Sequence, residues 1–436
     1  MKTKKKPGSI NIVTLGCSKN TVDSEKLMGQ LRANNLKVVY DSNNQDARTV
    51  VINTCGFISD AKQESIDTIL QYVNAKENGL IDDVFVMGCL SERYKDELKD
   101  EIPQIDALFG VNNIEDIVKK LGGKYKNELI GERLVTTPAH YAYLKISEGC
   151  DRNCSFCAIP LIRGKHKSKT IEQLLTESQK LAEKGVKELI LIAQDLTYYG
   201  VDIYKKQALS VLLNQLSDVK GIEWIRLHYA YPQSFPEDVL KVVMKKDNIC
   251  KYIDIPFQHI SDVVLRNMRR GINSSQTYEL IHKIRKYIPD ITLRTTLLVG
   301  HPGEGDKEFD ELCEFVKNIE FDRLGVFTYS EEEDTYAAEN FSDTVPENVK
   351  QERAAKIMEI QEKISYKKNQ LKIGKCFKTI IDRQEGDSYI GRTEGDSPEV
   401  DNEIHIKPFK GIEIGSFYSV KIVEADSFDL FAEVQF

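Results

Sequence analysis

The chain has 436 residues, 41% of them hydrophobic and 29% charged, with a formal net charge of −8. That length is too great for one ordinary core and implies two or three domains. The longest apolar run, Leu189–Ala193, is far too short for a membrane span, and no apolar h-region follows the basic start. These features set the expectation of a cytoplasmic protein with no membrane association. Nine cysteines in such a chain point to metal or catalysis rather than disulfides. The net negative charge argues, weakly, against nucleic acid as the main partner.

From residue 10 to about 122, short apolar runs alternate with amphipathic stretches. Ile10–Leu15, Thr49–Ile52 and Asp83–Met87 predict strands, and Ser24–Asn34, Asp60–Lys76 and Ile114–Leu121 predict helices. Such alternation implies a parallel sheet. Each strand runs into a cysteine, in Leu-Gly-Cys17, Asn-Thr-Cys55 and Met-Gly-Cys89. Ligands of open parallel sheets sit at the carboxyl ends of the strands, so three thiols there could hold a metal cluster with one open position. A single cysteine capping a strand is ordinary packing, but three at one edge favour metal.

Gly122-Gly123 and the polar stretch after it read as a linker. Strands are then predicted at Tyr141–Ile146, Glu188–Ala193, Trp224–His228, Tyr252–Ile255, Ile291–Val299 and Leu324–Thr328. The first crossover helix opens on a capping box, Thr170 with Gln173, and stops at Gly185. Six βα units suggest a partial TIM-like barrel whose chemistry lies in loops after the strands. The loop after the first strand carries Cys150-x₃-Cys154-x₂-Cys157. Zinc, with His166 recruited as a fourth ligand, is the competing occupant. Zinc sites prefer paired Cys-x₂-Cys, however, and three thiolates with Phe156 before the last suit a 4Fe–4S cluster with one open iron.

Glu347–Leu371 predicts an amphipathic helix with Ile357, Ile360 and Ile364 on one stripe. Beyond Gly374 the pattern changes to alternation over Phe377–Ile381, Ser388–Gly391, Glu403–Ile406, Phe417–Val423 and Leu430–Val434, which predicts a small OB-like β-barrel. This segment holds 7 Lys and Arg against 13 Asp and Glu, a net of −6. An RNA-gripping barrel should be basic, whereas an acidic one suits a basic peptide; a merely solvated charged face is the plain alternative.

Cys-x₃-Cys-x-aromatic-Cys on a partial barrel resembles the radical S-adenosylmethionine (SAM) enzymes. The segments Thr14-Leu-Gly-Cys17-Ser-Lys-Asn20-Thr-Val-Asp-Ser-Glu25, Asn53-Thr-Cys55-Gly-Phe and Gly88-Cys89 resemble the N-terminal domain of the methylthiotransferases, and the last barrel is similar to their TRAM domain. The resemblance implies an α/β chain of three domains: an N-terminal parallel-sheet domain over 9–123, a (β/α)6 radical SAM core over 136–366 and a TRAM β-barrel over 369–436. It implies two 4Fe–4S clusters, one on Cys150, Cys154 and Cys157 that binds SAM, and an auxiliary one on Cys17, Cys55 and Cys89 that supplies or carries sulfur. One SAM then donates the methyl group, and a second yields the radical that abstracts hydrogen from unactivated carbon. An electron donor such as flavodoxin or ferredoxin is implied, with the enzyme a monomer.

Leu-Gly-Cys17-Ser-Lys-Asn-Thr-Val-Asp-Ser-Glu25 and His140-Tyr-Ala-Tyr-Leu-Lys-Ile-Ser-Glu-Gly-Cys150 resemble the branch that acts on an aspartate β-carbon of small-subunit ribosomal protein number twelve. A tRNA adenosine methylthiotransferase is the alternative within the family, and a metal-stabilised ribosome-binding protein without catalysis is the alternative outside it. Gln194, Asp195, Gly300 and Glu304 are candidate SAM contacts, against helix capping for Asp195 and a plain turn for the glycine. His301 stands where the family commonly has Phe, and Gly305 where it commonly has Thr. Arg163-Gly164 and His259 fall in loops with structural and functional readings open. Lys19 beside the auxiliary site reads as solvated, and Cys250, Cys313 and Cys376 as packing residues.

Overall fold

The structure is a computed structural model that describes residues 8–42, 47–129 and 131–435. The chain divides into two compact units. One takes Met1–Thr137, Tyr143–Asp151 and Ala158–Lys180, and the other Pro138–Ala142, Arg152–Cys157 and Leu181–Phe436.

The first unit is built on five parallel strands, β1 (Ser9–Thr14), β2 (Val38–Tyr40), β3 (Ala47–Thr54), β4 (Asp83–Gly88) and β5 (Ala107–Leu108), in the order β2-β1-β3-β4-β5. Alternate side chains face opposite ways, so both faces must be covered. Val50, Ile52, Val84 and Val86 pack with Ile69 and Val73 of the helix Ser59–Glu77. Val51, Phe85 and Met87 pack with Leu27, Met28 and Leu31 of the helix Ser18–Ala33 and with Ile117 of Ile114–Lys120. The three longer strands are those predicted. β2 and β5 were not, since runs of three and two residues carry no detectable period.

Two further departures have a common cause. The helix predicted from Ser24 begins at Ser18, and its opening turns bury mainly polar residues, Lys19, Asn20, Asp23 and Ser24, with Val22 the one apolar residue among them. The stretch after Gly123, expected to be a linker, instead folds back on this helix. The Lys124 and Lys126 amides donate to the Asn34 and Gln30 side chains, and buried Arg133 pairs with Glu25 at 2.6 Å. Apolar periodicity detects hydrophobic faces, and both segments are held by polar ones.

A short antiparallel ladder, β7 (Ser147–Glu148) with β8 (Lys167–Ser168), also belongs to this unit. A six-stranded sheet, order β13-β12-β11-β10-β9-β6, comprises β6 (Tyr141–Lys145), β9 (Glu188–Ile192), β10 (Trp224–Leu227), β11 (Ile249–Asp254), β12 (Thr292–Val299) and β13 (Arg323–Thr328). All six strands were predicted, and their sequential order in an open sheet is that of a partial barrel. The Thr170–Gln173 capping box is present in both directions, at 3.1 and 3.3 Å.

In the second unit the helix Glu347–Gln370 buries Ile357, Ile360 and Ile364. Five strands follow, β14 (Cys376–Glu385), β15 (Ser388–Thr393), β16 (Ile404–Ile406), β17 (Phe417–Ala425) and β18 (Leu430–Val434), closed as β14-β15-β16-β18-β17. Ile381, Ile404, Ile406, Val420, Ile422 and Leu430 fill its interior. Among the described residues no helix is long and apolar enough to cross a membrane.

This barrel is fastened to the sheet within the same unit by buried charge. Glu188 of β9 accepts from Arg226 of β10 and from Arg392 of β15, both at 2.8 Å, and all three side chains are at most 3% exposed. Arg392 also holds Asp382 at 2.6 Å, which meets His140 at 2.8 Å. Asp396 pairs with Arg323, and Asp401 with Arg294 at 3.3 Å. The barrel's acidity is therefore partly spent inward: Asp382, Asp396 and Asp401 neutralise basic groups of the seam. Trp224, the single tryptophan, packs edge-on to Phe417 across the seam with ring centroids 4.8 Å apart. Glu188→Ala would leave buried Arg226 without its carboxylate and Arg392 with Asp382 alone, at a cost of about 3–5 kcal/mol. In urea unfolding followed by Trp224 fluorescence, its midpoint should fall well below wild type. Glu223→Ala, which breaks the exposed Lys378 pair, should leave the midpoint unchanged. Equal midpoints for all three proteins would mean that the seam does not depend on this charge.

Candidate functional site

Three turns converge at the carboxyl edge of the first unit's sheet. Register places Thr14 of β1 beside Asn53 of β3, and Thr54 of β3 beside Gly88 of β4. The strand ends are therefore level, and Cys17, Cys55 and Cys89 follow them. Cys17 is the N-cap of the helix Ser18–Ala33, and Cys89 opens the short helix Cys89–Arg93. The turns are in tight contact. A methyl group on Gly16 would stand 2.7 Å from Cys55 Cβ, and one on Gly56 would lie 2.8 Å from the Leu90 backbone beside Cys89. Only glycine permits that approach.

The thiols also sense one another electrostatically. Burial pushes Cys55 up, and a charge on Cys17 pushes it further. Burial raises Cys89 to about 11, with Arg163 acting against the rise and Cys17 and Cys55 adding to it. Burial opposes the Cys17 thiolate as well, but Lys19 and Arg163, together with hydrogen bonds from the Asn20 and Lys19 amides, outweigh it and hold this thiol below its ordinary value. A metal ligand must be a thiolate, and a cation in this neighbourhood favours that form. Lys19, expected to be solvated, is buried here and acts on Cys17. Among the described residues no three His, Cys, Asp or Glu side chains are grouped closely enough for a single metal ion. A cluster of four irons spreads its thiolates over separate corners and suits converging turns of this kind.

The second cysteine run follows β6 and β7. In the first unit, Cys150 is half-buried and its amide donates to the Gly164 carbonyl at 3.0 Å. In the second unit, Cys154 and Cys157 are half-buried and joined by a turn, the Cys157 amide donating to the Cys154 carbonyl at 3.3 Å. Arg270 Nη1 donates to Cys154 Sγ at 3.3 Å, and the Tyr231 hydroxyl lies 3.5 Å from the same sulfur. The Arg152 and Arg270 guanidinium groups each lie 4.3 Å from the Tyr231 ring centroid. Such stacking fixes a cation beside the sulfur. No spacing or period in the sequence singles out Arg270, Tyr231 or Arg152.

The candidate SAM contacts are distributed over the same unit. Asp195 is buried and accepts from the Thr197 amide at 2.8 Å and from Arg152 Nε at 2.9 Å. It therefore serves as the cap of Leu196–Tyr198 and as an ion-pair partner at once. Gln194 beside it is half-buried. The Gly300 amide donates to Glu304 Oε2 at 2.9 Å, and a methyl group on Gly300 would stand 2.4 Å from the Lys350 stem. Glu304 is buried, receives Arg353 at 2.9 Å, and has His259 Nε2 at 3.3 Å. Its carboxylate is thus engaged by protein groups. His259 Nδ1 accepts from the Ser261 amide at 3.0 Å, which leaves its proton on Nε2, toward Glu304.

His301 explains its own departure from the resembled pattern. It is fully buried, and desolvation lowers its pKa to about 4, so the ring is neutral near pH 7. It packs edge-on to Phe156 and Tyr329 as a phenyl ring would. Nδ1 faces the Pro302 carbonyl at 3.0 Å and carries the proton, so Nε2 accepts from Ser155 Oγ at 3.3 Å, one residue from Cys154.

Comparison with known proteins identifies three segments. Residues 9–110 match the profile described as uncharacterized protein family UPF0004, residues 144–316 the Radical SAM superfamily, and residues 373–434 the TRAM domain. The fold is similar to that of the radical S-adenosylmethionine methyltransferase TsrM from Kitasatospora setae, solved with cobalamin and a 4Fe–4S cluster. That match has a TM-score of 0.55 at 12% identity, covering 76% of this chain and 77% of the other. It is also similar to the cobalamin-dependent S-adenosylmethionine radical enzyme OxsB, at TM-score 0.52 and 15% identity over 82% of this chain and 56% of the other. At these identities the likeness concerns the fold alone. Among curated relatives, the ribosomal protein uS12 methylthiotransferase RimO of Cytophaga hutchinsonii is 59% identical over 98% of this chain and 97% of its own. The proteins of the same name from Christiangramia forsetii and Phocaeicola vulgatus are 57% and 56% identical, over 99% and 98% of this chain and 96% and 100% of theirs. With identity this high along nearly the full length of both partners, the chain belongs to the ribosomal protein uS12 methylthiotransferase family.

Proposed function

We propose that the chain replaces a β-hydrogen of an aspartate in ribosomal protein uS12 with a methylthio group, using SAM and two 4Fe–4S clusters. The observation that carries this reading is the presence of two sets of three cysteines in one chain, each set following β-strands and each with an arginine N–H directed at one of its sulfurs. Cys150, Cys154 and Cys157 are assigned to the SAM-binding cluster, and Cys17, Cys55 and Cys89 to the auxiliary one. When bound, the first would supply the electron that cleaves SAM, and the second the sulfur.

The chain's own side chains have defined tasks in this scheme. Arg270 and Tyr231 orient Cys154. His301 holds the cysteine loop through Ser155 without adding charge. Gln194 and Asp195 are assigned to the SAM amino-acid group, with Arg152 fixing the Asp195 carboxylate. Gly300 and Glu304 contribute through the shape of their loop, which the Gly300 amide closes onto Glu304 Oε2 and Arg353 holds from the other oxygen. An electron donor of the flavodoxin or ferredoxin class, a monomeric state and a cytoplasmic location complete the proposal.

Two outcomes follow. Mass spectrometry of ribosomal protein uS12 should show methylthioaspartate in cells that carry the gene and an unmodified aspartate in cells that lack it. Unchanged uS12, with loss of a methylthio group from a tRNA adenosine instead, would overturn the substrate assignment. After anaerobic reconstitution the chain should hold about eight iron atoms, four per cluster. The combined replacement of Cys17, Cys55 and Cys89 by Ala should hold about four and still cleave SAM without methylthiolating the peptide. Methylthiolation by that variant would remove the division of labour between the sites.

A further inference from the structure

Arg163 and Gly164 lie in the loop region just beyond the second cysteine run, at the end of the short helix Ile159–Arg163. The Arg163 side chain is 2% exposed. Its Nη2 donates to Cys89 Sγ at 3.4 Å and to Asn20 Oδ1 at 2.6 Å. Nη1 donates to Glu148 Oε1 at 2.8 Å and reaches Asp23 Oδ2 at 3.3 Å. The next residue, Gly164, presents its carbonyl to the Cys150 amide at 3.0 Å. Gly149, just before Cys150, comes so near that a methyl group on it would stand 2.5 Å from that same carbonyl. Two consecutive residues therefore touch one cysteine from each set, all within the first unit.

The arrangement exceeds what a buried ion pair needs. Asp23 and Glu148 are also held by Lys145, the latter at 2.5 Å, so two cations face two carboxylates and the local charge is balanced without any thiol. The half of the guanidinium fork that faces Asn20 and Cys89 is thus free to serve the cysteines. Asn20 passes the constraint on. Its Nδ2 donates to the Leu15 carbonyl at 2.9 Å and to the Thr54 carbonyl at 3.0 Å, ahead of Cys17 and Cys55 respectively. One planar, always-charged group consequently bears on all three auxiliary turns.

We propose that Arg163 is a positioning residue that couples the two cysteine sites: its guanidinium orients Cys89 and, through Asn20, the Cys17 and Cys55 turns, while the adjoining Gly164 carbonyl fixes Cys150. This rests on the assignment of the two cysteine sets to two clusters. Hydrogen bonds to cluster sulfurs raise a cluster's reduction potential, because they stabilise the more negative reduced state.

The test uses the full chain, reconstituted anaerobically, as wild type, Arg163→Met and Arg163→Lys. Iron content, an EPR-monitored redox titration, SAM cleavage and methylthiolation are read on each. In Arg163→Met the auxiliary cluster should keep its iron, shift its EPR signal and titrate at a more negative potential, while the SAM-binding cluster's potential is less affected. Methylthiolation should fall by about ten- to a hundredfold more than SAM cleavage, the range typical of groups that orient metal ligands. Arg163→Lys, which keeps the charge and loses the fork, should recover part of the potential. With about eight irons per wild-type chain, an unchanged auxiliary potential and EPR signal in Arg163→Met would overturn the proposal and leave Arg163 an ion pair of the fold. Should Arg163→Met fail to load, an unchanged potential in a loaded Arg163→Lys overturns it equally. A wild-type chain holding only about four irons would refute the two-cluster assignment itself, and this coupling with it.

Discussion

Three thiols drawn together at the edge of one parallel sheet, two of them buried, ionise more readily with a cation beside them, and that electrostatic demand organises the first unit. Burial alone lifts a thiol's pKa, as Cys89 at about 11 illustrates. A guanidinium at the same place opposes the rise, but it brings a buried charge that must itself be compensated. Asp23 and Glu148 compensate Arg163, Lys145 completes the balance, and Asp23 belongs to the helix that Cys17 caps. The polar opening of that helix is the consequence. Its buried face is built for charge and hydrogen bonding because a site lies against it.

The second unit reaches a similar solution by other means. Arg270 is directed at Cys154 and stacked on Tyr231, whose other neighbour is Arg152. Here an aromatic ring, rather than a pair of carboxylates, accompanies the cations and leaves Arg152 to hold Asp195. His301 adds an aromatic contact and a hydrogen bond to the same loop with no charge, since its ring stays neutral. The unit thereby sets where positive charge is present and where it is absent around two of its cysteines.

Charge is also what fastens the closing β-barrel to the sheet. Its excess of acidic residues suggests an exposed acidic face, but Asp382, Asp396 and Asp401 turn inward to His140, Arg323 and Arg294. Net charge therefore overstates what a partner would meet. The assignment of a ribosomal-protein substrate rests more firmly on family membership than on the sign of this domain.

What could be read from residue order alone was local. Short apolar runs marked the long strands, period-two alternation marked the barrel, the 3.6 period marked the helices with apolar stripes, and Thr170 with Gln173 marked a helix start. Cysteines one to three residues past strand ends already implied a shared edge, because parallel strands bring their carboxyl ends together. Edge strands of two or three residues and a helix opening on polar residues left no such signal. Tertiary structure alone decided which cation meets which group. Arg163 reaches Cys89 across 74 positions, and Arg392 reaches Glu188 across 204. Sixty lysines and arginines have the same local appearance in sequence, and only packing, which determines where a buried charge can be neutralised, distinguishes these two from the rest.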